Sequence, residues 1–153
     1  MPWIAQLQVL GQVAVAAVLG GLIGLERELA DKPAGFRTHM IVAGTSALLV
    51  GLSLAFVQVF QSSGDSRIDP TRTVQAIVTG ISFLGAGTII RRGDTDRIEG
   101  LTTAASLLLA GAIGISIGLH QYVIGVGATL LALVVLTLMK YVERWIVHFR
   151  ARP

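Results

Sequence analysis

Long apolar runs without charged side chains constrain the fold of this sequence more than any other feature. A helix needs about 20 mostly apolar residues to cross the hydrocarbon core of a bilayer. Five runs of about this length contain no Asp, Glu, Lys or Arg: 4–25, 38–60, 73–90, 101–118 and 122–139. The sequence therefore predicts an all-α integral membrane protein, a bundle of about five transmembrane helices that forms a single domain over residues 1–153.

The composition agrees with this prediction. Hydrophobic residues make up 53% of the chain and charged residues 14%, whereas a soluble domain carries about 25% charged residues. Cysteine is absent, and the three histidines lack the spacing of a zinc site. The basic residues flank the apolar runs, so the high isoelectric point does not indicate nucleic-acid binding. We expect the lipid bilayer to surround this chain.

The turn between the last two runs is predicted from length. Residues 100–139 contain no charged side chain, and as one helix they would extend about 60 Å, twice the ~30 Å thickness of the hydrocarbon core. The chain therefore has to turn back within this stretch. Gly, His, Gln and an interfacial Tyr in residues 118–122 are typical of a tight turn at the membrane surface.

The distribution of Lys and Arg between the loops predicts the orientation. Ten of the twelve basic residues fall in the first loop, the third loop and the tail, and only Arg67 and Arg72 fall elsewhere. By the positive-inside rule the N-terminus lies outside, and both charged hairpins and the C-terminus are cytoplasmic. The tail, residues 140–153, is either an amphipathic helix lying on the membrane or a plain aromatic and basic anchor.

Two short loops concentrate the charges that are candidates for function. The first carries six charges of both signs within residues 26–37. Glu26 and Arg27 directly follow an apolar run, where desolvation favours the pairing of opposite charges. The alternative is a girdle of snorkelling side chains without a further role. The candidates in the two loops are Glu26, Arg27, Glu28, Lys32, Arg37, Arg91 and Arg92.

Carboxylates in the first loop are candidates for contact with magnesium. Hard oxygen ligands suit Mg²⁺, and we expect weak contacts at Glu26, Glu28 and Asp31. Nearby basic residues reduce the local negative potential, so the expected affinity is modest. The apolar runs contain no carboxylate, which argues against a high-affinity magnesium or proton site within the membrane.

The third run is rich in glycine. Gly80, Gly85 and Gly87 either let a neighbouring backbone approach or expose carbonyl groups along a cation path. At the outer end of this run, Asp69 is predicted to cap the helix, which places Arg72 and Gln75 on its first turns. Asp69 and Arg72 either bind or gate an ion at an outer mouth, or form a helix cap with a solvated neighbour.

Small residues also mark the fourth run. Gly114 and Gly118 form a GxxxG pair, which predicts a helix-packing or homodimer face. Thr102 and Thr103 are predicted to cap this helix, as Thr38 is predicted to cap the second.

Motifs of catalysis are absent from the sequence. It contains no nucleophile elbow, P-loop or HExxH motif. We therefore expect a protein that is not an enzyme and has no cofactor, with Mg²⁺ as the ion expected to be a ligand or substrate.

Four stretches resemble the MgtC/SapB family of bacterial membrane proteins, and they cover most of residues 20–125 in the family's order. The stretches are GGLIGLERE, KPAGFRTHMIVAGTSAL, DPTRTVQAIVTGISFLGAGTIIRRGD and GLTTAASLLLAGAIGISIGLHQY. The family motifs fall on Gly24, Glu26, Arg27, Lys32, Gly35, Arg37, Thr38, Arg72, Gln75, Gly80, Gly85, Gly87, Gly100, Thr102 and Thr103.

This resemblance implies a multi-pass protein of the bacterial inner (plasma) membrane that takes part in magnesium homeostasis, with a link to virulence in some members. It implies a non-enzymatic regulator that acts on membrane partners such as the ATP synthase. The alternative that the resemblance leaves open is a transporter or channel for Mg²⁺ or another cation. Homo-oligomers are expected among its associations, and nucleic acid is not.

Overall fold

A computed structural model describes residues 3–61, 69, 71–92 and 97–150; for residues 59–61, 91, 92, 97 and 140–150 it describes the backbone alone. These residues form five helices and one short hairpin. The helices are α1 (Trp3–Leu29), α2 (Phe36–Gln61), α3 (Thr71–Thr88), α4 (Leu101–Gly118) and α5 (Tyr122–Arg150). The hairpin between α3 and α4 consists of β1 (Ile90–Arg92) and β2 (Arg97–Glu99), which pair antiparallel.

The predicted helical architecture is confirmed, with four helices long and apolar enough to cross a membrane among the described residues. These are α1, residues 36–58 of α2, α4 and residues 122–139 of α5. The fifth predicted span, α3, falls short because Arg72, Gln75 and several small polar residues dilute its apolar content. The hairpin was not predicted, since residue 90 was expected to end the third span and residues 91–100 to form a charged loop.

Helix α4 lies at the centre of the bundle and packs against all four other helices. Half of its residues are buried, compared with 17% for the apolar part of α5. Its most extensive neighbour is α2, which in turn forms a close pair with α1. Small residues line these contacts: a Cβ at Gly24 would lie 2.7 Å from the carbonyl oxygen of Gly35. The absence of side chains here lets the helix backbones approach closely.

Two tight turns end α1 and α4 in the same way. Asp31 and His120 adopt the left-handed conformation, with φ of 55° and 62°. After α1, the N–H of Lys32 donates to the carbonyl of Arg27 at 3.1 Å. After α4, the N–H of Gln121 donates to the carbonyl of Ser116 at 2.8 Å. These bonds satisfy carbonyls that a helix end would otherwise leave unpaired. The turn predicted at residues 118–122 is confirmed.

The path of the chain places four helix ends together. Residues from the end of α1, the end of α3 and the start of α4 line one cavity, and Glu28 contacts the start of α2. We call this the charged end of the bundle. At the other end, Ser53 of α2 hydrogen-bonds Thr73 of α3 at 2.7 Å. Helix α3 therefore runs the length of the bundle, returning the chain to the charged end.

Helix α5 continues without interruption through Arg150, so the first eleven residues of the predicted amphipathic tail extend the fifth helix. The face that this tail presents lies outside the described side chains, as do Arg67 and residues 151–153.

Candidate functional site

A polar cavity of about 660 Å³ occupies the charged end of the bundle. The end of α1 and the turn after it contribute Arg27, Asp31 and Lys32. The hairpin contributes Glu99, and α4 contributes its first turn, residues 100–103. This cavity brings together residues from both charged loops, which are separate in the sequence.

Arg27 is the buried charge of this cavity, with 4% of its surface exposed. Its Nη1 lies 3.8 Å from Oε2 of Glu26, which is the ion pair expected from the sequence, at a distance too long for a hydrogen bond. Its Nε has no hydrogen-bond acceptor among the described residues. Arg27 lies in the last turn of α1. The carbonyl end of a helix carries partial negative charge, which stabilises the positive charge of the Arg27 side chain.

The start of α4 is built around Gly100. Its φ is 94°, a conformation that L side chains rarely adopt, and a Cβ there would collide with the carbonyl oxygen of Thr88. The helix has no side-chain cap, so the prediction that Thr102 and Thr103 cap it is wrong. Thr103 is buried within the bundle instead. The N–H groups of the first turn thus face the cavity without a capping side chain.

Glu28 has a structural partner. Its Oε2 accepts a hydrogen bond of 2.8 Å from the backbone N–H of Phe36, the first residue of α2. The helix is therefore capped by a carboxylate from α1, and the predicted cap at Thr38 is wrong because α2 begins two residues earlier. Arg37 is exposed beside Glu28, where both line a separate small cavity of about 270 Å³.

The three carboxylates proposed to contact magnesium have different surroundings. Glu26 lies beside Arg27, Glu28 caps α2 and Asp31 is exposed in its turn. The described part of the chain contains no group of three or more His, Cys, Asp or Glu side chains arranged to hold a metal ion. Magnesium contact at these residues stays a prediction.

A buried polar contact behind the cavity was missed by the sequence analysis. His39 of α2 is fully buried; its Nδ1 donates to the carbonyl of Gly35 at 2.9 Å, and its Nε2 lies 3.0 Å from Oγ of Ser106 on α4. Ser106 Oγ also lies 2.8 Å from the carbonyl of Thr103. The serine hydroxyl has one proton, so it donates either to Thr103 or to a neutral His39. This contact joins the starts of α2 and α4.

The glycines of the third and fourth runs have separate roles. Gly85 packs on Ala104 of α4, with a built Cβ 3.3 Å from the alanine Cβ, whereas Gly80 and Gly87 have nothing within 4 Å. A Cβ on Gly114 would meet the carbonyl of Ala43, and one on Gly118 would lie 2.8 Å from Cβ of Val50. The GxxxG pair therefore packs against α2 of the same chain, which is the helix-packing alternative, and association of the chain as a homo-oligomer stays a prediction.

At the other end of the bundle, Asp69 caps α3 as predicted. Its carboxylate accepts bonds from the N–H and the hydroxyl of Thr71, at 2.9 and 2.7 Å. These hydrogen bonds hold the pKa of the Asp69 carboxyl below its ordinary value. Arg72 lines a groove of about 650 Å³ between α2 and α3. Asp69 and Arg72, both within the described residues, form no ion pair with each other, and Gln75 is exposed.

Arg91 and Arg92 lie in β1, and their side chains are outside the described part of the structure. The backbone of the hairpin nevertheless places them next to the cavity's own lining residues, since Arg91 pairs with Ile98, which lines the cavity.

The fold and the cavity define a class: a small helical membrane protein with several apolar spans and a charged end formed by two loops. The chain belongs to the MgtC family, whose pattern it matches over residues 13–145. The resemblance seen in the sequence is thereby confirmed.

Similar proteins are found in several bacteria. The chain is 39% identical over 126 residues to the putative magnesium transporter YhiD of Escherichia coli, covering 82% of this chain and 57% of that protein. It is 32% identical over 144 residues to the protein SapB of Bacillus subtilis, covering 94% and 62%. It is 44% identical over 107 residues to the protein MgtC of Brucella abortus, covering 69% and 40%.

The chain thus spans less than two thirds of the length of each of these three relatives. No solved structure matches the chain.

Proposed function

We propose that the chain is a non-enzymatic regulator of magnesium homeostasis in the bacterial inner membrane, which acts on a membrane partner through its charged end. The observation that carries this proposal is the buried Arg27 at that end. Arg27 has 4% exposure and its Nη1 lies 3.8 Å from Oε2 of Glu26, so the pair offers no net negative charge to attract a divalent cation. A cation path through this cavity would also meet the positive end of α4.

The packing of the interior supports the same proposal. Where α1, α2 and α4 meet, glycines such as Gly24 and Gly114 bring the backbones into contact. Such packing fills the space that a pore between these three helices would need. The charged end, in contrast, exposes Arg37 and Lys32, which are accessible to a partner such as the ATP synthase.

We propose the orientation with the charged end in the cytoplasm and α3 as a fifth crossing. The course of α3 from the Ser53 contact to the cavity supports this, as its 18 residues extend about 27 Å, close to the thickness of the hydrocarbon core. An odd number of crossings places the two termini on opposite sides. The excess of basic residues in the charged loops supports the cytoplasmic side for the charged end.

One observation favours a second candidate function, the transport of magnesium. The groove between α2 and α3 reaches along both helices, and Gly80 lines it with nothing within 4 Å of a built Cβ. One relative bears the name putative magnesium transporter. A cation would have to use this groove, with Arg72 at its outer end.

Flux into sealed liposomes separates the two candidates. We expect no saturable, protein-dependent entry of Mg²⁺, read by an internal fluorescent indicator, from the folded chain or from Glu26→Gln. Saturable flux that Gly80→Leu abolishes would establish the groove as a path and contradict the regulator. Gly127→Leu is the matched control, because Gly127 also has nothing within 4 Å but lies on α5, away from the groove.

Capture of a partner tests the regulator directly. A photo-reactive side chain at position 37, which is exposed at the charged end, is expected to cross-link a membrane protein in cells starved of magnesium. The same group at position 123, where the native valine is 88% exposed near the opposite end of the bundle, serves as the control. Equal cross-linking at both positions, or none at position 37, would contradict a partner at the charged end.

A further inference from the structure

Arg27 and the first turn of α4 supply the polar cavity with hydrogen-bond donors that have no acceptor in the described part of the chain. Arg27 lines the cavity, has 4% exposure, and keeps an Nε without an acceptor among the described residues. The first turn of α4 lines the same cavity and has no side-chain cap. Its first intrahelical bond joins the N–H of Ala104 to the carbonyl of Gly100 at 2.9 Å, so the N–H groups before it have no partner within the helix.

The acidic residues in the lining are exposed, whereas Arg27, one of its two basic residues, is buried. Asp31 and Glu99 are exposed, so water and salt screen their charges. Glu26, whose side chain is 10% exposed, forms an ion pair with Nη1 of Arg27 at 3.8 Å, and Nε of the guanidinium has no acceptor among the described residues. The Nε of Arg27 and the N–H groups of the first turn of α4 are therefore the donors on the buried side of the cavity, whereas Asp31, Glu99 and Lys32 lie at its exposed rim.

We propose that this cavity binds a phosphate group. Phosphate oxygens accept hydrogen bonds from a guanidinium and from the N–H groups at a helix start, and the positive end of the helix favours their charge. Gly100, which lines the cavity, precedes this turn with a φ of 94° and packs so closely on the backbone of Thr88 that no side chain fits there. The cavity of about 660 Å³ admits either inorganic phosphate or the headgroup of a phospholipid. Phosphate binding at this cavity is a separate proposal, and it does not depend on the regulatory function proposed above.

The test uses the full chain in two arms. In the first, delipidated protein in detergent is dialysed to equilibrium against radiolabelled inorganic phosphate. In the second, protein extracted from phosphatidylglycerol vesicles is analysed by native mass spectrometry for retained lipid. Both arms compare the native chain with Arg27→Gln, Lys32→Gln and Arg37→Gln. Arg37→Gln is the matched control, as it removes an exposed cation at the same end but outside this cavity.

We expect the native chain either to bind inorganic phosphate in the first arm or to retain phosphatidylglycerol in the second. The arm that shows binding identifies the source of the phosphate group. Loss of a charge-assisted hydrogen bond should weaken binding about tenfold in Arg27→Gln, and the screened charge of Lys32 should contribute about threefold. Arg37→Gln should bind as the native chain does. Lys32→Gln, at an exposed residue, decides the test if Arg27→Gln does not fold. No binding in either arm, or equal weakening in Arg37→Gln, would overturn the proposal.

Discussion

Replacement of Gly114 by alanine tests the contact that determines how α2 and α4 pack. The added methyl group would meet the carbonyl oxygen of Ala43 and would lie 2.8 Å from Cβ of Ser46. Both distances are shorter than a van der Waals contact, and the first neighbour belongs to the backbone, which cannot rotate aside. The two helices must therefore separate or shift to admit one methyl group.

The cost of this shift follows from overpacking. Forcing an extra methyl group into a packed core costs about 1–3 kcal/mol. Any glycine in a helix gains up to about 1 kcal/mol of helix preference when it becomes alanine. Gly127→Ala receives the same gain without the cost, because nothing lies within 4 Å of its built Cβ. The difference between the two variants thus isolates the steric cost, with Gly114→Ala less stable by about 1–3 kcal/mol.

The free energy of unfolding of both variants is measured in detergent, by titration with a denaturing detergent followed by circular dichroism. If Gly114→Ala is as stable as Gly127→Ala, the close approach of α2 to α4 is refuted. Cross-linking between copies should be equal for the two variants, since Gly114 packs within its own chain. A selective loss of cross-linking in Gly114→Ala would instead restore the homodimer face.

Three further predictions concern polar contacts. Ser106→Ala leaves Nε2 of the buried His39 without its partner, so the free energy of unfolding should fall by about 1–3 kcal/mol. Ser116→Ala, the control, loses a hydrogen bond within α4 only. Its free energy of unfolding should change by about 1 kcal/mol or less in the same titration. Glu28→Ala removes the cap of α2 and should lower the free energy of unfolding by about 1 kcal/mol, with no loss in Arg37→Ala. The Asp69 cap is stabilising when its carboxylate is charged, and the pKa of this carboxyl is lowered in the folded chain. Its contribution to stability is therefore complete above the ordinary carboxyl pKa of about 4 and is lost as the pH falls below that value. The melting temperature of Asp69→Asn should accordingly depend less on pH in that acidic range than the melting temperature of the native chain.

The helices and their turns are predictable because the requirements of a bilayer act along the sequence. Uncharged runs of suitable length locate four spans, and the excess length of residues 100–139 requires the turn. Asp69 illustrates the same locality, since a cap and the N–H it accepts are two residues apart. Each of these features depends on residues that are neighbours in the sequence.

Contacts between distant segments could not be predicted in this way. His39 and Ser106 are 67 positions apart, and nothing in either local sequence indicates the other. Glu28 caps α2 from eight residues before its first residue, Phe36. The prediction that Thr38 caps α2 considered only residues adjacent to the expected start of that helix and is wrong. The GxxxG pattern of Gly114 correctly indicated close packing but not whether the partner helix belongs to the same chain. The cavity itself exists only because both charged loops meet at one end.

The dependence of α3 on α4 has a consequence for biosynthesis. Helix α3 is the least apolar of the five, and it packs mainly on α4, with Gly85 against Ala104 and Ile81 against Gly111. Because the ribosome makes the chain from its N-terminus, α3 emerges before the helix that covers it. A nascent chain released after residue 88 would hold a complete α1–α2 pair beside a helix without its docking surface. Completion of α4 is the step that secures α3 in the bundle.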